Sequence, residues 1–160
     1  MNINLIFTYG VSLKDWKIAG ILDRELEIYR QMISNHGYII NLITFGDIED
    51  EQILLDDKNI NVYPAYKHIN KTNNRFINFL LSFLIPFKLK EELRNTDLIK
   101  TNQLNGSWVG IILKFMLKKP LIVRTGYNLY EFSINEKKSF IKQLFYFLLT
   151  KYSIKFSDKY

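Results

Sequence analysis

Five short apolar segments, at residues 3–9, 38–45, 60–66, 97–103 and 120–125, alternate with stretches of helical periodicity along the chain. That alternation, with short connections, is the signature of βαβ units and a parallel sheet with helices on both faces. The expected fold is α/β, a Rossmann-like doubly wound and mostly parallel sheet with strand order 3-2-1-4-5. At 160 residues the chain is one domain's worth, long enough to bury roughly 70% of the surface its unfolded form exposes.

Between the segments, local signals set the helices. Ser12 and Asp15 have capping-box spacing, and Ile18, Ile21, Leu22, Leu26, Tyr29, Met32 and Ile33 predict one apolar helical face, stopped by Gly37 as a left-handed cap. The acidic stretch 47–57 reads as a solvated loop. From Asn74 a helix is expected, apolar nearly all round over residues 76–85, interrupted at Pro86 and amphipathic over 87–95. Asn105 is placed to cap a helix over 106–117, and residues 136–152 predict another. The chain ends on a polar turn and what reads as the first residue of a further strand, so a portion of a longer or truncated protein is expected.

Composition removes several chemistries. With no cysteine there are no disulfides, cysteine metal sites or thiol catalysis, and a reducing compartment, the cytoplasm, is expected. The first ten residues carry no basic n-region, and no apolar run is long enough to span a bilayer. His36 and His68 lack ligand-type partners at metal spacing, so no metal is expected. The net charge of +6 divides unevenly: residues 1–60 carry five basic and ten acidic side chains, residues 61–160 seventeen and six. The basic part should face something anionic, a membrane surface or nucleic acid. The aromatics there fall at core-like helical positions rather than on a stacking face, which argues against nucleic acid.

The stretch FTYGVSLKDWKIAG runs a strand through one glycine into a capped helix, the layout of a ligand-binding turn. It is not a dinucleotide fingerprint, because Gly10 is followed by Val11, Ser12 and Leu13 rather than by the spaced glycines that motif needs. In the expected strand order, the turns after strands one, four and five meet at the carboxyl edge of the sheet, where ligands bind. They carry Gly10, Ser12, Thr101, Asn102, Gln103, Arg124, Gly126, Tyr127 and Asn128 as candidate substrate-binding residues, a set suited to hydroxyls and phosphates. No nucleophile elbow, P-loop or paired carboxylates point to catalytic residues.

The segments YGVSLKDWKIAGILDRELEIYRQM, IKTNQLNGSW and PLIVRTGYN, in that order, resemble the N-terminal domain of bacterial glycosyltransferase family 4 enzymes of the GT-B architecture. The resemblance spans the chain, residues 1–160, and is most specific at KTNQ and RTGY. It implies a retaining transferase whose acceptor, a glycan or a lipid-linked one, sits on this domain while a missing C-terminal domain holds the nucleotide-sugar donor, with no metal or other cofactor. A role in surface polysaccharide synthesis follows. The rival reading is a non-catalytic fragment acting as a binding module. Residues 75–90 and 137–155, where aromatics alternate with lysines, read as interfacial helices for an anionic membrane surface.

Overall fold

A computed structural model describes residues 1–160. In chain order it contains β1 (Asn2–Ile6), α1 (Leu13–Ile18), α2 (Leu22–His36), β2 (Ile39–Thr44), α3 (Glu49–Ile53), β3 (Ile60–Pro64) and α4 (Ala65–His68). There follow α5 (Arg75–Ser82), α6 (Ile85–Lys88), β4 (Leu98–Thr101), α7 (Ser107–Leu117), β5 (Leu121–Ile122), α8 (Leu129–Asn135) and α9 (Phe140–Phe156). The five strands form one parallel sheet in the order β3-β2-β1-β4-β5, the expected topology. No helix is long and apolar enough to cross a membrane.

Central position explains why β1 is apolar and buried almost throughout: a parallel strand between two neighbours has helices over both its faces. On one face Phe7, just beyond β1, stacks on Trp16 of α1 with ring centroids 4.2 Å apart. On the other face α7 presses Gly110 against the sheet, where a Cβ would come within 3.0 Å of Leu121 and 3.1 Å of Ile6. A glycine inside a helix weakens it by about 1 kcal/mol relative to alanine, and close packing on the sheet offsets that here.

A polar row crosses this core. Asn4, Asn41 and Asn61 lie side by side in register on β1, β2 and β3. The Asn61 amide donates to Asn41 (2.9 Å), Asn41 to Asn4 (2.8 Å), and Asn4 to the Thr96 hydroxyl (2.6 Å). Each buried amide thereby finds the partners it would otherwise lack.

Several expected elements differ. The single helix after Ser12 is two, because Gly20 takes φ +67° and turns the chain between α1 and α2. Ile18 leaves the apolar face as a result and is 77% exposed. The acidic stretch is not a solvated loop: it contains α3, and Asp50 within it is only 1% exposed. Residues 89–95 are turns rather than a continuation of the helix beyond Lys88. Gly106, not Asn105, is the N-cap of α7, and α8 is an additional helix. The cap at Ser12, the left-handed Gly37 and the cap at Asn74 are as expected. At the carboxyl terminus Lys159 bridges in parallel to Ile122 on the free edge of β5, where a further strand was expected to begin.

Candidate functional site

The turn after β1 resembles a phosphate cradle in sequence, and the fold gives that cradle to the chain's own side chains. Ser12 Oγ accepts from the Asp15 amide (3.0 Å) while Asp15 accepts from the Ser12 amide (2.7 Å), completing the capping box. The next two free amides of α1, those of Leu13 and Lys14, donate to the buried Asp50 carboxylate at 3.0 and 3.1 Å. Thr44 donates its hydroxyl to the same carboxylate (2.6 Å). Any side chain at Gly46 would overlap Asp50, so that glycine is what admits the carboxylate. An anion at a helix N-terminus is favourable, and here it is internal.

Gly10 has φ +79°, a left-handed turn position that a glycine takes without strain, and nothing lies within 4 Å of where its Cβ would be. The close backbone approach in this region occurs at Gly106, where a Cβ would meet the Phe7 carbonyl oxygen at 2.8 Å and the Tyr9 nitrogen at 3.2 Å. That contact lets the Asn105 carbonyl accept from the Tyr9 amide (2.9 Å), tying the turn after β1 to the turn after β4.

The turns after β4 and β5 are joined as well. Thr101, fully buried, accepts from the Arg124 amide through its hydroxyl (3.1 Å), and the Gln103 side-chain oxygen accepts from the Gly126 amide (2.9 Å). A Cβ at Gly126 would sit 3.3 Å from the Gln103 amide group, so glycine there leaves Gln103 its place. Asn102 donates its backbone amide to the Ile6 carbonyl (2.7 Å). Asn128 caps α8, accepting from the Tyr130 and Glu131 amides.

These turns wall a cavity of about 280 Å³. Gln103, Asn105, Thr125 and Tyr127 reach it from the turns, Thr8 from below, and Lys138 and Tyr146 from the α8–α9 side. Leu104, Leu129 and Phe132 complete a mixed lining, in which hydroxyl, amide and phenol groups able to orient a polyhydroxyl ligand stand among apolar side chains. Beside it runs an apolar groove of about 350 Å³ lined by Tyr9, Phe76, Phe79, Trp108, Ile141 and Phe145. Asn105 and Tyr146 line both, so the cavity and the groove are neighbours that share these two side chains. Tyr9, Phe79 and Trp108 form the groove's aromatic floor, with ring centroids 5.1–6.0 Å apart. Burial raises the Tyr9 phenol above its usual pKa.

The groove's rim is unusual for a helix surface. α5 buries Asn78 and Ser82 and leaves Phe76 (67%), Ile77 and Leu80 exposed. Asn78 accepts from the Thr72 amide (2.8 Å) and donates to the Thr72 carbonyl (2.8 Å). Ser82 accepts from the Trp108 indole (2.9 Å). Across the groove α9 exposes Phe140 (76%) and Ile141 (78%). The aromatics of the basic part are thus divided: Phe79, Phe83, Trp108 and Phe145 pack in or against the core as their spacing predicts, while Phe76, Phe87, Phe132, Phe140 and Phe147 are exposed, contrary to it.

Of the nine candidate residues, Gln103 and Tyr127 line the cavity. Thr101, Gly126 and Asn128 shape it from behind, Ser12 is engaged in its cap, and Gly10 and Asn102 stand in the adjoining turns. Arg124 projects elsewhere. Its charge acts on Lys100 and on Tyr29 of α2, across the sheet from α7. The sequence reading missed Thr8, Asn105 as a lining residue, Thr125, Tyr146 and Lys138. Only Tyr146 and Lys138 had a usable signal, lying within an aromatic and lysine-rich helix.

No family model matches the sequence, and neither does any curated protein. Solved structures do match. Anabaena Alr3699/HepE in complex with UDP aligns with a TM-score of 0.53 at 17% identity, over 98% of this chain and 36% of that one. The two share a fold. HepE in complex with UDP and glucose gives a TM-score of 0.51 at 18% identity over the same shares. The chain thus spans about a third of the length of HepE.

Proposed function

We propose that this chain is the acceptor-side domain of a sugar-nucleotide-dependent glycosyltransferase of GT-B architecture, retaining in stereochemistry and acting in surface polysaccharide synthesis. The observation that carries the reading is the adjacency of a cavity bearing amide, hydroxyl and phenol groups to an apolar groove at the carboxyl edge of the sheet, where ligands of doubly wound folds bind. That shape fits an amphiphilic acceptor: a sugar among Gln103, Asn105, Tyr127 and Tyr146, and a lipid tail over Tyr9, Phe79 and Trp108. The fold shared with HepE, whose crystals hold UDP and glucose, supports a nucleotide-sugar as the donor. Under this reading the donor half lies outside these residues, and Gly10 keeps the floor between the two substrates open.

The exposed apolar rims of α5 and α9, with Arg75, Lys88, Lys137 and Lys142 nearby in sequence, suit docking on an anionic membrane that presents such an acceptor. Each lysine near anionic lipid contributes about 1 kcal/mol.

The test is a nuclear magnetic resonance titration of the chain with octyl glucoside and, separately, with glucose. The expected outcome is shifts at Gln103, Asn105 and Tyr127 with both, and at Trp108 and Phe145 with the alkyl glycoside alone. Shifts scattered over the surface, or none, would sink the reading.

A further inference from the structure

We propose that Lys100 and Arg124 form a binding pair for a phosphate group, on the α2 side of the sheet at the carboxyl ends of β4 and β5. Lys100 stands beside Ile122 in register, and Arg124 follows two residues later, just past the end of β5, where its charge acts on Lys100 and on Tyr29 of the α2 face. This is the face opposite α7, and neither residue lines the polar cavity.

Four cations of the chain are half-buried: Arg30, Lys100, Lys114 and Lys119. Three of them have a carboxylate within 4 Å: Arg30 has Asp57 and Asp23, Lys114 has Asp158, and Lys119 has Asp97. Lys100 has none. Its ammonium donates instead to the Tyr29 hydroxyl (2.8 Å) and sits 4.9 Å from the centre of that ring. Tyr29 is neutral at ordinary pH, since burial pushes its phenol up to about 12. It positions the ammonium without balancing its charge.

The second cation aggravates the imbalance. Burial first, and then the charge of Arg124, lower the Lys100 pKa. Glu25, which also pairs with the exposed Arg24 at 2.8 Å, acts in the opposite direction and more weakly than Arg124. Two like charges set together, one of them half-buried, cost the empty fold stability, and such arrangements mark functional sites. An arriving phosphate reverses the sign of that interaction. Two ammonium N–H groups beyond the one used by Tyr29, and a guanidinium with no side-chain hydrogen bond in the fold, are donors of the kind that recognise phosphate.

The pair deepens the transferase reading, and the choice of phosphate source rests on it: a nucleotide-sugar diphosphate or the phosphate of a lipid-linked acceptor. The pair itself stands on its own geometry. The test is calorimetric titration of the 160-residue chain with inorganic pyrophosphate at fixed ionic strength, with the Lys100 amine followed by nuclear magnetic resonance. Saturation should raise the Lys100 pKa toward its ordinary value. Lys100→Met and Arg124→Gln should each weaken binding about tenfold or more, the loss of a charged hydrogen bond. Lys118→Gln, at the other end of the sheet, should leave it unchanged. Lys100→Met should melt no lower than the parent, which a structural lysine would not do. Arg124→Gln, at an exposed position, keeps the test open should Lys100→Met misfold. Displacement of pyrophosphate by UDP or by farnesyl phosphate identifies the source. Displacement by neither leaves the pair supported and counts against the transferase reading. Absent binding, or binding indifferent to Lys100 and Arg124, overturns the proposal.

Discussion

Helix α2 turns Leu26 and Tyr29 inward and leaves Arg24, Glu27 and Gln31 in solvent, whereas α5 turns Asn78 and Ser82 inward and leaves Phe76, Ile77 and Leu80 out. The first is a helix built to meet water. The second is built to meet something apolar, because its buried polar groups are hydrogen-bonded and its exposed side chains gain nothing where they are. The contrast extends to the regions around them. The acidic first part closes its charges internally, as at Asp50 and in the Arg30 pairs with Asp57 and Asp23, while the basic second part presents lysines beside bare aromatics. The apolar side chains left in solvent are thus gathered mostly in the second part of the sequence.

The comparison breaks most readily at its closed side. Asp50→Ala removes a buried carboxylate that accepts from two amides and a hydroxyl, and it should cost about 3 kcal/mol of unfolding free energy in a denaturant titration. A loss below 1 kcal/mol would mean that water replaces the carboxylate and that the α1 terminus is open after all. Asn78→Leu tests the inverted helix from within. It strands the Thr72 amide and hydroxyl and should cost about 2 kcal/mol, so a neutral result would show α5 to be an ordinary helix able to rotate its apolar side inward.

The third test sharpens the open side. Phe76→Ser with Leu80→Ser should change stability by less than about 0.5 kcal/mol each, as at exposed positions. The same pair should lower cosedimentation with anionic vesicles severalfold. That cosedimentation should itself weaken as salt rises. A large stability loss with unchanged sedimentation would reassign the face to the core. The smallest effect concerns the end of the chain, where the Asp158 carboxylate accepts from Lys114 and from the Leu121 amide, each at 2.7 Å. Its hydrogen bond from Lys114 holds its pKa below the usual carboxylate range. The contact is therefore present above about pH 4, the ordinary carboxylate value, and is lost as pH falls through the depressed one. Amide exchange at Leu121 and Val123 should accelerate only there, and Asp158→Asn should flatten the profile.

What the sequence disclosed was whatever local chemistry decides. Strand order follows from alternation and short connections, and the caps at Ser12, Gly37 and Asn74 follow from one or two residues each. The failures share a different cause. Asp50 sits in an acidic run that looks solvated, and its burial is decided by amides 36 and 37 positions away. Lys100 looks like the polar member of an alternating strand, and only the third dimension shows that it alone among the half-buried cations lacks a carboxylate. For the candidate site, the convergence of three turns was legible from topology. Which side of the sheet each side chain takes was not: Gln103 faces the cavity while Arg124 faces Tyr29, and both come from turns that read alike.

The asparagine row has a consequence for how the chain finds its fold. Parallel strands must be gathered from distant parts of a chain before any pairing is rewarded, and apolar strands such as β1, β2 and β3 attract one another in many alignments. Sliding any of them by one residue would turn its asparagine to the opposite face, among leucines and isoleucines, with amide groups lacking partners at about 1–3 kcal/mol apiece. The row therefore favours the native register over a slipped one: only there does the Asn41 amide meet both Asn4 and Asn61. It ends at Thr96, since β4 places Ile99 opposite Asn4. The rule that sorts three strands therefore also tells the fourth that it belongs on the other side.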